Sequence, residues 1–214
     1  MNQPGFSGLD LATYLVALVY LANFFALSAV AARATGRSVW LLHRADVPGQ
    51  RLTALVFRGS FAVAFLWPGL RLLAEAAGFA LGTPVWAPGW FVSFCGHVLV
   101  AVGASVALLS QHHMGQAWRI GAAEGEQGPD LVESGPFALS RNPVFVGQAV
   151  LLLGLLFAFP DPVQAAAALG AWLAMHRQVL IEERVLRASF GARYDAYATR
   201  VPRWLRFRSG APGD

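Results

Sequence analysis

Apolar runs long enough to cross a bilayer constrain this chain before anything else does. Leu11 to Ala32 holds 22 residues with a single strongly polar side chain, Asn23. As a helix rising about 1.5 Å per residue it spans roughly 33 Å, against about 30 Å of hydrocarbon. Leu52 to Leu73 and Trp90 to Leu109 are runs of the same kind, and Val163 to Ile181 follows the turn Phe159-Pro160-Asp161-Pro162. Val144 to Phe159 is shorter, about 24 Å as a helix. Backbone polar groups in hydrocarbon must be satisfied within the segment, so such runs are helices. Of 214 residues only 13% are charged and 56% are apolar, unusual for a soluble domain. The sequence predicts an all-α, polytopic integral membrane protein with about five transmembrane helices, the last two forming a C-terminal helical hairpin.

Charge sets the orientation. Arg33, Arg37, His43, Arg44 and Arg51 crowd the loop after the first run, which predicts that loop to be cytoplasmic and the N-terminus to lie outside, in an inner or plasma membrane. Five crossings then return the basic tail to the cytoplasm. Every cationic side chain apart from the histidines is Arg, and these flank membrane runs instead of building one basic face, so nucleic acid is not expected as a partner. Cys95 stands alone and excludes a disulfide framework. With no basic n-region or cleavage site, the first run is expected to be a retained span. Arg58 is expected to snorkel to the interface, and Pro68 to kink the second helix. His97, inside the third run, reads either as a functional group or as a hydrogen bond to a neighbouring helix. His112 and His113 point about 100° apart on a helix, and no Cys or carboxylate stands at zinc-site spacing, so no metal is expected. Ala166, Gly170 and Ala174 repeat a small residue at every fourth position and predict close packing within the hairpin.

The longest polar interval runs from Gln111 to about Gly147 and divides the chain into residues 1–110, three spans, and 111–214, a loop, hairpin and tail acting as one unit. A connection this long in a compact protein is usually functional. It opens with Trp118 and Arg119, a guanidinium suited to a carboxylate. It closes with Arg141-Asn142-Pro143, where Asn142 can cap a helix and Pro143 suits its first position. The fifth helix is expected to emerge from the bilayer through Arg177, Gln178, Glu182 and Glu183, with Gln178 and Glu182 on one face. The tail from Phe190 to Arg208 is expected to form a short helix on an anionic leaflet.

Leu131, Val132, Ser134, Gly135, Pro136 and Phe137, then Arg141 to Gly147, a hairpin, Glu182-Glu183, and Phe190-Gly191 before Tyr194 together resemble the isoprenylcysteine carboxyl methyltransferase family, related to the phospholipid methyltransferases. The resemblance covers roughly residues 111–204. It implies a cytoplasmic loop that wraps S-adenosyl-L-methionine, with the methyl acceptor entering from the bilayer. Leu131, Val132, Gly135, Phe137, Asn142, Pro143, Phe145, Glu182 and Glu183 are the implied cofactor-binding residues, with Arg119 for the cofactor's carboxylate. Arg141, Arg177 and Gln178 are the implied catalytic set. Asn142 stands where the family has His, Phe145 where it has Tyr, and Gln178 where it has a substrate-facing Arg, with Arg177 adjacent.

The expected activity is methyl transfer from S-adenosylmethionine to a lipid or other lipophilic acceptor within the membrane. The acceptor class (carboxylate, amine, thiol or lipid) and the oligomeric state stay open. Two other functions compete: an NADPH-dependent reductase of the sterol-reductase type, and a non-catalytic membrane protein on the same scaffold.

Overall fold

Six α-helices and two short 3-10 turns make up the computed structural model, which describes residues 7–39, 41, 49–82, 89–120 and 131–205. His43, Arg44, loop residues 121–130 and the tail beyond Leu205 lie outside the described residues.

Helix α1 (Gly8–Thr35) starts in a capping box: the Ser7 hydroxyl accepts from the Asp10 N–H, and the Asp10 carboxylate accepts from the Ser7 N–H at 2.7 Å. It ends at Gly36, whose φ of 64° is the left-handed conformation glycine adopts without strain. Helices α2 (Gln50–Ala76) and α3 (Trp90–Met114) follow, and α2 runs on through Pro68 as one helix. Helix α4 (Pro143–Ala158) begins at its proline. Helix α5 (Pro162–Phe190) begins at another, with the Asp161 carboxylate accepting from the Val163 N–H at 2.8 Å. Helix α6 (Ala192–Arg200) turns off at Gly191.

Among the described residues, three helical segments are long and apolar enough to cross a membrane: Gly8–Thr35, Gln50–Ala76 and Trp90–Ala117. Helix α4 is a shorter apolar helix of 16 residues. Helix α5, at 29 residues or about 43 Å, is longer than the hydrocarbon and continues without interruption into its charged end. Exposed Leu11, Leu55, Phe91, Leu109 and Leu173 coat the outside, as an apolar solvent requires. This is an integral membrane protein.

Packing inside the bundle departs from the expected small-residue seam. The most extensive contact joins α3 to α4, and α5 packs chiefly on α2. Gly96 and Gly103 on α3 face Gly154 and Gly147 on α4, and a Cβ on any of the four would strike the partner's backbone. Without side chains between them the two helices approach closely, the way small residues drive packing where lipid supplies no hydrophobic force. Of the predicted stripe, Ala166 is exposed, Gly170 accommodates Ser60 of α2, and Ala174 is buried. The stripe does not seal the hairpin, because glycines at seven-residue spacing on α3 and α4 allow the shorter approach.

Buried polar pairs fix the remaining angles. His97 Nδ1 and Thr13 Oγ1 are 2.8 Å apart, so α3 and α1 meet through the hydrogen bond that was one of two readings of His97. Gln111 donates to Phe24 O and to Ser28 Oγ, and the Trp118 indole donates to the same hydroxyl. Two backbone bonds, Leu41 N to Ile120 O and Ile120 N to Val39 O, tie the first loop to the start of the long one.

Candidate active site

The site assembles where α4 begins and α5 ends. Residues 131–142 form an ordered strip between α3 and α4, pinned from three sides. Gly135, at φ 59°, begins a 3-10 turn, and a Cβ there would strike the His113 ring at the end of α3. That ring lies over Phe137 with centroids 6.5 Å apart, and its Nε2 is 3.1 Å from Ser134 Oγ. Phe137 is buried, and its carbonyl accepts from the Tyr197 hydroxyl at 2.7 Å. Leu131 packs against Tyr194, Tyr197 and Val201, while Glu133 pairs with Arg193 and Arg200. The aromatic face of α6 is therefore spent inside the protein and its arginines on Glu133. This corrects the expectation of a helix laid on the leaflet: the strip offers those tyrosines apolar cover and hydrogen-bond partners.

At the Arg141-Asn142-Pro143 turn the side chains behave differently from a simple cap. Asn142 occupies the cap position, but its amide donates to Arg203 O at 3.0 Å instead of accepting from helix N–H groups. Ser140 Oγ donates to the same carbonyl, and Arg141 N donates to Pro202 O. The turn is thus strapped to residues 201–205, which fold back over α5.

One carboxylate anchors the strap. Glu183, 3% exposed, accepts two bonds from Arg203 and lies 3.1 Å from Arg141 Nη1. Burial alone would raise its carboxyl, but the Arg203 hydrogen bond and the charges of Arg141, Arg203 and Arg187 outweigh that and hold it below the usual carboxylate range. The same bond raises Arg203 further. Arg141 also donates to the Tyr194 hydroxyl at 3.0 Å, and the phenol is pushed up, first by burial and then by the Glu183 charge. Arg141 Nε is buried without a hydrogen-bond partner.

Gln178 and Glu182 share another face of α5. Gln178, 1% exposed, donates to Glu182 Oε1 at 3.0 Å, and its own carbonyl is buried with no partner. Arg177 is exposed on the far side of the helix. Val132 is half-buried in the strip, and Arg119 sits in the short bridge facing Val39 and Leu41. His176 is stacked between Trp172 and Trp204. Among the described residues no three His, Cys, Asp or Glu side chains cluster to hold a metal ion.

Phe145, in the first turn of α4, meets Phe57 of α2 edge-on at 6.3 Å. Phe57 starts a ladder, Phe57-Phe61-Phe65, that continues to Tyr20 of α1 and walls a cleft of about 420 Å³ between α1 and α2. Arg58 and Gln148 line the same cleft, and Gln148 Nε2 donates to the Tyr20 hydroxyl at 2.9 Å. The cleft walls went unpredicted, although the spacing of Phe57, Phe61 and Phe65 marks one helix face.

The sequence model of the phospholipid methyltransferase family matches residues 91–193, from α3 through the strip and hairpin to α6. A rice protein (Oryza sativa subsp. indica) named "Probable protein-S-isoprenylcysteine O-methyltransferase" is 27% identical over 157 residues, covering 72% of this chain and 80% of that one. The chain is therefore similar to the phospholipid methyltransferase family over residues 91–193 and to plant isoprenylcysteine methyltransferases over most of its length. Protein-S-isoprenylcysteine O-methyltransferase B of Arabidopsis thaliana is 25% identical over 158 residues, 73% of this chain and 78% of its own length. The solved structure of a eukaryotic intramembrane Ras methyltransferase, isoprenylcysteine carboxyl methyltransferase, superposes with a TM-score of 0.48 at 20% identity, covering 72% of this chain and 50% of that one. The matched region holds the strip, the α4 start and the Gln178–Glu182 face, so these residues are where the likeness to the methyltransferases is to be tested.

Proposed function

We propose that this chain transfers the methyl group of S-adenosylmethionine to a lipophilic acceptor drawn from the bilayer. The observation that carries the reading is the polar face at the emerging end of α5. There a carboxylate and an unpartnered amide carbonyl, Glu182 and Gln178, stand side by side within the segment matched to the methyltransferases.

That donor set fits the cofactor. Two acceptors on one face suit its ammonium and ribose hydroxyls, and their negative character complements a sulfonium. When bound, the cofactor supplies an electrophilic methyl group on a cationic sulfur. Glu182 and Gln178 would hold the polar parts. The Leu131-Val132 strip and Phe137 would cover the apolar parts and exclude water.

Displacement at such a methyl needs alignment and desolvation more than acid–base help. A carboxylate acceptor then needs no base. An amine or thiol needs its proton taken by Glu182, His112, His113 or His176. Glu183 is a poor base, since two guanidiniums keep its carboxylate engaged. We assign it instead to the strap, together with Arg141, and leave Arg177 outside the site.

The acceptor's apolar part fits the aromatic cleft, whose inner end reaches α4 through Phe57 and Phe145. The names of the plant relatives make a prenylated cysteine carboxylate the first acceptor to assay. We place five crossings in the membrane, the N-terminus outside and the site on the cytoplasmic side, in keeping with the arginines after α1.

Incubation of nanodisc-reconstituted protein with methyl-labelled S-adenosylmethionine, native membrane extract and prenylcysteine tests the proposal. Label is expected in a lipid, protein or thioether fraction, and S-adenosylhomocysteine, but not NADPH, is expected to raise the melting temperature. No label in any fraction together with stabilisation by NADPH alone would overturn it.

A further inference from the structure

The aromatic cleft holds one feature that a purely hydrocarbon ligand leaves unused. Tyr20 and Gln148, each 2% exposed, line it and hydrogen-bond to each other, while Gln148 Oε1 is buried with no partner. Turning the amide over would only exchange the orphan, leaving the NH2 group unsatisfied in place of the carbonyl. A buried amide with half its capacity unused is costly in an apolar wall, where water is scarce. Around it the wall is aromatic and aliphatic: Phe57, Phe61, Phe65 and Leu21. Leu18, Phe25 and Leu66 flank the cleft, and each is exposed on the lipid-facing surface. Entry is therefore from the bilayer.

We propose that this cleft selects a lipophile carrying a hydroxyl group, which docks on the Tyr20–Gln148 pair. A hydroxyl donates and accepts through one atom, so it satisfies the amide in either orientation: it donates to Oε1 while accepting from the phenol, or, with the amide turned over, accepts from the NH2 group. A site built around such a pair discriminates against the analogue lacking the oxygen, because binding that analogue leaves the Gln148 carbonyl buried and unpaired. Gln148 lies five residues into α4, about 8 Å from Pro143 along the axis, so the docked hydroxyl is close to the methyl-transfer site without being in it. The hydroxyl is a recognition group, and the reacting group lies nearer the α4 start. This inference rests on the cleft being the acceptor site. Among acceptors of the proposed reaction, it ranks one with a hydroxyl on its lipophilic part above the plain prenyl chain.

Binding of tritiated farnesol to the full chain in nanodiscs, with empty nanodiscs as background and no methyl donor present, tests it. Farnesol is expected to bind saturably, and farnesene, the same chain type without the oxygen, to compete about tenfold more weakly. Tyr20→Phe and Gln148→Leu should each bring the two ligands toward parity, and Ala62→Trp, which fills the cleft from its rim, should remove saturable binding. Unliganded melting temperatures check that each variant folds. Equal binding of farnesol and farnesene, an unchanged preference in both polar variants, or binding that survives Ala62→Trp would each overturn the proposal. Because cofactor binding is followed separately, through stabilisation by S-adenosylhomocysteine, a failure of the methyltransferase reading shows in a different measurement.

Discussion

Arg203 grips Glu183 at two points, with Nε 2.8 Å from Oε1 and Nη2 2.8 Å from Oε2. Twenty residues of chain separate them, and the fork closes that loop over the end of α5. A bidentate guanidinium fixes angle as well as distance. Arg141 approaches the same carboxylate from the start of α4. The strip, the hairpin and the C-terminal segment therefore share one anion.

Removing that anion strands two guanidiniums. Glu183→Gln is expected to destabilise the protein by about 3–5 kcal/mol, as when one member of a buried ion group is lost. Thermal unfolding in nanodiscs measures the total, and hydrogen exchange should show residues 201–205 opening first.

Acid should reproduce the effect in the wild type. The folded-state carboxyl of Glu183 is held below its ordinary value of 4.5. Its contribution is therefore complete above pH 4.5 and is lost as the pH falls through the depressed value. The melting temperature of wild type minus that of Glu183→Gln is expected to be flat from pH 8 to about 5 and to shrink below that.

The adjacent glutamate should behave oppositely. Glu182→Gln keeps the Arg203 fork and is expected to retain the wild-type melting temperature while weakening S-adenosylhomocysteine about tenfold or more, the loss of one charge-assisted bond. Calorimetric titration reads the affinity. Equal affinity in wild type and variant would move the cofactor off this face.

Glycines on the α3–α4 seam and elsewhere should part company. Gly147→Ala puts a methyl against the backbone of Ala107 and Gly103, and a cost of about 1–3 kcal/mol is expected from overpacking. Gly59→Ala, in open space on α2, should be neutral or stabilise by about 0.5–1 kcal/mol through helix propensity. Melting temperatures of the two variants side by side decide it.

Tyr197→Phe removes the hydroxyl that donates to the Phe137 carbonyl and leaves that buried acceptor unpaired. A loss of about 1–3 kcal/mol is expected. Proteolysis of the 131–142 strip, compared with wild type at equal temperature, reports it.

Membrane helices, the ordered strip, the turn at Pro143 and the long emerging α5 were legible in the sequence because each is a local property. Apolar length against bilayer thickness, proline and glycine positions, and the i,i+4 relation of Gln178 and Glu182 need no knowledge of neighbours. Which surfaces meet is a different kind of fact. The Ala166-Gly170-Ala174 stripe looked as good a seam as the glycines of α3 and α4. Only the bundle shows Gly103 and Gly147 lying backbone to backbone. Nor does the sequence separate the roles of Glu182 and Glu183: one residue apart, they point about 100° from each other on a helix. The fold-back of Arg203 decides which one is taken. Dispersion contacts and buried charge pairs depend on atoms brought together from distant parts of the chain; dispersion fades within an ångström or two, and a buried ion pair is favourable only with its hydrogen bonds in place. What spans the bilayer follows from the order of residues; what touches what is decided by tertiary packing.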